Sequence, residues 1–219
     1  YYIVSIGTPP KPLLPRRTEE RLGPRHREIL DQLEMVFLSE GFSSVTVTQL
    51  AASVGCSRRT LYELAPSKDA LVLIVLDRFL HRVGRSALNN VDPNASIAEQ
   101  VRSYINGALE LQRLTAAFAD DLADDPAARR LLDRHFRYVM SVSESLIERG
   151  IEAGEFRSVS PGVAAGMLAG SGLYFSQPGI LDDVGMTRDE ASHEMTDIVL
   201  RSLLHPTIHS STQQTSSTQ

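Results

Sequence analysis

The sequence predicts an all-α protein of about nine helices in two parts: a three-helix N-terminal helix-turn-helix domain and a larger C-terminal helical domain. Three observations predict it. Apolar residues recur at steps of three and four through most of the chain. The breaks carry helix-capping signals, among them three capping boxes, Thr46-x-x-Gln49, Ser96-x-x-Glu99 and Thr187-x-x-Glu190. No stretch alternates polar and apolar residues for long enough to make a convincing strand, and there is no internal repeat.

Residues 1–24 hold five of the eleven prolines and no sustained period, so they are expected to form a mobile, partly basic arm. From Glu28 the pattern turns helical, with Ile29, Leu33 and Val36 on one face beside Leu30 and Phe37. Gly41 ends that helix and Phe42 folds back on it. Thr46 caps the next helix, with Val45 and Leu50 at hydrophobic-staple positions, and Gly55 stops it. Ser57 is the N-cap of a third helix that Pro66 stops. Ser67 caps a fourth, which runs through ALVLIVL to about Leu88.

The second half is punctuated as clearly. NNVDPN breaks the chain at residues 89–94, and Ser96 opens a helix expected to reach about Ala119. Asp125-Pro126 supplies an N-cap and a proline at the first helical position for a long helix that ends at Gly154, with room for one break. Ser160-Pro161 opens a helix rich in small residues, closed by Gln177-Pro178-Gly179. The last helix runs from Thr187 to about Leu204. The expected divisions are an arm at 1–24, helical domains at 25–70 and 71–205, and a disordered polar tail at 206–219.

The segment Thr46 to Leu64 carries the function. Two short helices meet across Gly55-Cys56-Ser57, a turn that allows only a tight crossing. Leu50, Ala51, Val54, Leu61 and Leu64 point inward, which leaves Arg58, Arg59 and Tyr62 outward in the first turn of the second helix. That end of a recognition helix enters a major groove, where an Arg fork takes guanine O6 and N7 together. Tyr62 can donate to a phosphate, and Lys68 sits in the first turn of the next helix, where free backbone N–H groups favour an anion. The plainer alternative is an αα-corner with two solvated arginines.

A resemblance weighs against that alternative. The stretches ILDQLEMVFLSEGF, TVTQLAASVGCSRRTLYEL and PSKDAL, within residues 28–80, resemble the DNA-binding domain of the TetR family of bacterial transcriptional regulators. The resemblance implies a DNA-binding domain at 25–70 and a ligand-binding and dimerisation domain at 71–205, in a homodimeric, ligand-responsive regulator, a repressor, that leaves a palindromic double-stranded DNA operator when a small effector binds. It also implies DNA contacts at Thr46, Thr48, Ser57, Arg58, Arg59, Thr60, Tyr62 and Lys68. The chain departs from the family pattern at Arg59, where a small residue is common, and at Glu63, Leu64 and Ala65, where aromatic residues are common. Glu63 lies four residues after Arg59, placed to pin that arginine or to repel a phosphate.

In the second half, aromatic and methionine side chains at Tyr104, Phe118, Phe136, Met140, Met167 and Phe175 are the candidates to line a pocket for a small, largely apolar effector; most such residues are simply core. Small residues at 162–170 allow close helix approach. Val163, Met167, Gly170 and Tyr174, with Met195, Ile198 and Val199 of the last helix, are the candidates for a self-complementary dimer face; an internal core helix is the alternative.

Composition limits the rest. Apolar content of 42% and charged content of 22% are ordinary for a globular protein, and the longest apolar run is too short to span a bilayer. The N-terminus does not read as a signal peptide, and a single cysteine, Cys56, rules out an internal disulfide and fits the expected reducing cytoplasm. The net charge of −5 is unevenly spread: residues 11–70 carry nine basic and eight acidic side chains, residues 71–219 thirteen and nineteen. Cys56 is expected as a staple residue beneath the third helix rather than a thiol sensor. The pairs Asp120-Asp121, Asp124-Asp125 and Asp182-Asp183 are poor chelators because adjacent helical residues diverge by about 100°. The histidines at 26, 81, 135, 193, 205 and 209 show no metal spacing, and His135 is expected as a satisfied interior group. No metal, cofactor or catalytic constellation is expected. An enzyme and a helical interaction module remain the competing classes; turnover of any substrate would reveal the first, and DNA binding indifferent to Arg58 would favour the second.

Overall fold

The computed structural model describes residues 8–108, 121, 125–175 and 179–205. Among them ten helices form: α1 (Arg16–Arg21), α2 (Pro24–Glu40), α3 (Val47–Ser53), α4 (Arg58–Leu64), α5 (Lys68–Asn89), α6 (Ile97–Ala108), α7 (Pro126–Glu152), α8 (Pro161–Phe175), α9 (Ile180–Val184) and α10 (Arg188–Leu203). The described residues form no strand beyond an isolated bridge between Phe156 and Leu204. No helix among them is long and apolar enough to cross a membrane.

Two hydrophobic cores stack along α5. The first joins α2, α3 and α4 to the N-terminal part of α5 through Leu33, Phe37, Leu50, Leu61 and Leu76. Phe37 meets Phe42 edge-on, with ring centroids 6.1 Å apart, as the sequence leads one to expect of the residue after Gly41. The second joins α6, α7, α8 and α10 through Val101, Tyr104, Leu146, Leu168 and Val199. The first core continues to Val83 and takes in Ala128 and Leu131 of α7, so it extends well past residue 70, where the sequence reading divides the chain. Ala87, one turn further along α5, belongs to the second core. One rigid 22-residue helix therefore serves both.

Several expectations change. The residues just before α2 were expected as an arm without regular structure, yet residues 16–21 form α1. The Leu13 N–H donates to Asp77 Oδ2 at 2.7 Å, and Arg78 pairs with Glu19 and Asp31, so this segment is docked on α5. A helix of six residues is too short to display a period. The same reason hides the five-residue α9. The long helix α7 is unbroken over 27 residues, with Asp125 accepting from the Ala127 and Ala128 N–H groups as its N-cap. The stretch expected to extend α6 to Ala119, the Gln177-Pro178 stop and the tail at 206–219 lie outside the described residues.

Candidate nucleic-acid interface

The helix-turn-helix is built from local hydrogen bonds. At the start of α3, the Gln49 N–H donates to Thr46 Oγ1 at 3.3 Å while the Thr46 N–H donates to Gln49 Oε1 at 2.8 Å, which is the predicted capping box. At its end, the Cys56 N–H donates to the Ala51 carbonyl at 2.9 Å and the Gly55 N–H to the Ala52 carbonyl at 3.2 Å. This pair of bonds is a Schellman motif, and it requires a left-handed residue at the position after the cap. Gly55 supplies it with φ +59°, a conformation that side chains with a Cβ rarely adopt. Ser57 then caps α4, accepting from the Thr60 N–H at 3.1 Å.

One support was not read from the sequence. The Arg25 guanidinium of α2 donates to the Val54 and Gly55 carbonyls, each at 2.9 Å, and its other terminal nitrogen pairs with Glu28 at 2.7 Å. Arg25 thus clamps the turn from the helix beneath. Its position at the start of α2 gives no hint of this, because the partner carbonyls lie 29 and 30 residues away.

Held in this way, α4 presents its first turn to solvent. Ser57, Arg58, Arg59 and Tyr62 are exposed, as are Thr46 and Thr48 on the preceding segment, while Thr60 is half-buried with its hydroxyl 2.9 Å from Ser57 Oγ. Arg59 Nε donates to Glu63 Oε1 at 3.3 Å, the one-turn pairing that the spacing predicts, and the arginine side chain is still 90% exposed. The second oxygen of Glu63 lies 3.6 Å from His26 Nε2, which ties α4 back to α2. Lys68 is half-buried and donates to the Ser43 carbonyl at 2.9 Å.

Asp121, of a pair read from the sequence only as a poor chelator, reaches the front of the molecule. Its Oδ2 accepts from the N–H groups of Phe42 and Ser43, and its Oδ1 from the Ser43 hydroxyl. Burial pushes the Asp121 carboxyl upward, but these hydrogen bonds and the nearby Lys68 outweigh it and hold the pKa below the ordinary value. A residue from the chain just before α7 thereby caps the loop that leads into α3.

Residues 29–75 match the family model described as bacterial regulatory proteins, tetR family. Those residues carry the similarity to the tetR family, and they include the helix-turn-helix and the start of α5. It is 31% identical over 91 residues to an uncharacterized HTH-type transcriptional regulator of Mycobacterium tuberculosis, a match covering 42% of this chain and 45% of that relative. The chain thus spans less than half the length of that relative. It is 25% identical over 158 residues to the HTH-type transcriptional regulator YfiR of Bacillus subtilis, covering 67% of this chain and 75% of YfiR. The crystal structure of a transcriptional regulator from Saccharomonospora viridis in complex with choline superimposes with a TM-score of 0.70 at 17% identity, over 83% of this chain and 98% of that one. At that identity the likeness concerns the fold alone.

The other predicted sites divide. Val163, Met167, Gly170 and Tyr174 lie exposed on one face of α8, and Ile198 is exposed on α10. Met195 and Val199 are instead buried, at 8% and 4% exposure, because the inner face of α10 runs through 195, 199 and 203. They are core residues of this chain and not surface. The candidate pocket set scatters as well: Tyr104 is buried, Phe136 and Met167 are exposed, Met140 and Phe175 are half-buried, and Phe118 lies outside the described residues. Aromatic content does not say which way a side chain faces until the neighbouring helices are placed. A cleft of about 580 Å³ opens along the outer side of α10 between Gly185 and Arg201, and one of about 90 Å³ lies between residues 12–19, α2 and α5. None of the pocket candidates lines either cleft.

Proposed function

We propose that this chain is a sequence-specific DNA-binding regulator of transcription, a repressor that binds a palindromic operator as a homodimer and is released by a small, largely apolar effector. The observation that carries the reading is the first turn of α4. Arg58, Arg59 and Tyr62 stand exposed on a helix whose entry angle is clamped by Arg25 and by the Schellman turn at Gly55. Rigidly presented arginines at a helix N-terminus match base edges in a major groove, and Thr46, Thr48, Ser57 and Thr60 around them are short donors suited to phosphates. Selection of bound sites from random duplex DNA, repeated at several salt concentrations, tests the proposal. The expected result is one enriched palindrome, with log affinity falling steeply against log salt. No enriched sequence, or a flat salt dependence, would overturn it.

Lys68 belongs to this reading as a positioning residue. One of its three N–H donors is taken by the Ser43 carbonyl, which leaves the others for a phosphate. Lys68→Ala should weaken binding to all sequences equally and reduce the salt slope by about 1. Titrations of two unrelated operators at three salt concentrations check this; a loss confined to one base pair would remove Lys68 from the role.

The exposed apolar side chains of α8 and α10 support self-association. Val163, Met167, Leu173, Tyr174 and Ile198 are each more than half exposed. Exposed apolar side chains on two packed helices favour a partner surface, and a two-fold axis pairs two recognition helices with the two half-sites of a palindrome. Ile198→Glu should convert a dimer into a monomer in sedimentation experiments without lowering helix content. A dimer that persists unchanged would move the interface elsewhere.

The effector is expected between α6 and the helices packed on it. The Tyr104 hydroxyl on α6 is buried and has no hydrogen-bond partner among the described residues. Burial raises its pKa, so it stays a neutral donor at physiological pH. The choline complex of the Saccharomonospora viridis protein supports a small organic molecule as the class of effector.

A further inference from the structure

We propose that Asp77, His81 and His135 form a binding site for a divalent transition-metal cation of the zinc, cobalt and nickel class, on the seam between α5 and α7. Asp77 and His81 are one turn apart on α5 and share a face. His135, from α7, closes the third side. Asp77 Oδ1 lies 3.5 Å from His135 Nε2 and 3.7 Å from His81 Nε2, and the three donor atoms all fall within 4.8 Å of one another. Around a tetrahedral zinc with metal–ligand bonds of about 2.0–2.1 Å, neighbouring donors sit about 3.3–3.4 Å apart. Small side-chain movements therefore bring the trio to coordination distance. The two imidazoles meet edge-to-face at 84°, with centroids 4.7 Å apart, so both present a ring nitrogen to the carboxylate without stacking.

The surroundings favour a ligand set over a simple ion pair. Asp77 and His135 have side-chain exposures of only 2% and 6%. His81 Nε2 is buried, points at the carboxylate from beyond hydrogen-bond distance, and has no hydrogen-bond partner among the described residues. A ring nitrogen without a partner, aimed at a carboxylate, is placed to share a cation with it. Asp77 Oδ2 accepts the Leu13 N–H at 2.7 Å, which orients the carboxylate in the manner of a supporting partner behind a metal ligand. Two nitrogens and one oxygen suit zinc, cobalt or nickel better than magnesium or calcium, which prefer oxygen alone. The cleft of about 90 Å³ has Asp77 and His81 on its wall and gives a path from solvent.

One group competes. Arg134 Nη2 donates to Asp77 Oδ1 at 3.0 Å, and its side chain is 36% exposed. A cation arriving at Oδ1 displaces this guanidinium, which can swing to water. The sequence alone conceals the site because His135 is far from the Asp77-x-x-x-His81 pair in the chain. That pair on a predicted helix was the available signal.

The test is a titration of the full chain with cobalt(II) followed by visible absorption, and with zinc followed by calorimetry, independent of any DNA. One metal per chain is expected, with d–d bands of a nitrogen- and oxygen-ligated cobalt. His81→Ala and His135→Ala should each weaken binding by about tenfold or more. Arg134→Gln should tighten it by about tenfold, since a competing charge leaves. His193→Ala, in the outer cleft beside Glu190 and Glu194, should change nothing. Absence of binding, binding indifferent to His81→Ala, or binding lost with His193→Ala would each overturn the proposal. If the histidine variants do not fold, Arg134→Gln decides: tighter binding supports the site, and unchanged or weaker binding overturns it.

Discussion

Gly150→Ala should destabilise the protein by about 2 kcal/mol, although alanine is the better helix former. Gly150 lies within α7, and on propensity alone the substitution would gain about 1 kcal/mol. The packing opposes it. A Cβ at Gly150 would stand 2.9 Å from Phe156 Cγ and closer still to Cδ2 and Cε2 of the same ring. Phe156 cannot withdraw easily. It is 1% exposed, its N–H donates to the Gly150 carbonyl at 2.9 Å, and it is bridged to Leu204 at the end of α10. Three ring atoms inside 3.0 Å place the overpacking at the upper end of its usual range, about 3 kcal/mol, which exceeds the helical gain of about 1 kcal/mol. At about 2–4 °C per kcal/mol for a chain of this size, the thermal midpoint should fall by about 4–8 °C. Thermal denaturation at fixed protein concentration measures it. In a Phe156→Leu background the same added methyl should cost much less, and an equal cost in both backgrounds would remove Phe156 as the cause.

Arg58→Ala should relax the preference at one base pair in each half-site, a loss of about 1–3 kcal/mol of discrimination, which is about 5- to 150-fold. Two neighbouring arginines are not equivalent here. Arg59 shares its charge with Glu63, whose other oxygen faces His26. The described residues provide Arg58 with no acidic partner, so its fork is available to a guanine. Glu63→Ala frees Arg59, and it should shift the preference at the base pair that Arg59 reads while raising non-specific affinity, because a negative charge leaves the DNA-facing side. Site selection on the parent, Arg58→Ala, Arg59→Ala and Glu63→Ala proteins at one salt concentration separates these effects. Four identical preferred sequences would show that this turn touches only the phosphate backbone, and α4 would lose its assignment as the reading helix.

The helix-turn-helix was legible because its determinants are local. The capping box at Thr46 and Gln49, the left-handed glycine at 55, the serine cap at 57 and the Arg59–Glu63 pairing all act within five residues of chain, so the order of side chains alone determines them. The length of α5, its cap at Ser67 and the proline start of α7 follow for the same reason. Tertiary structure alone decided what depends on separate segments meeting. It brought Arg25 under the turn, Asp121 onto the loop before α3, and His135 against Asp77 and His81. It also decided the facing of α10, whose apolar residues look alike in sequence although Ile198 lies outside and Met195 and Val199 inside. Helical period places residues on a face, but which face is buried depends on the neighbour it packs against, and that neighbour is chosen by long-range contacts that no short window of sequence contains.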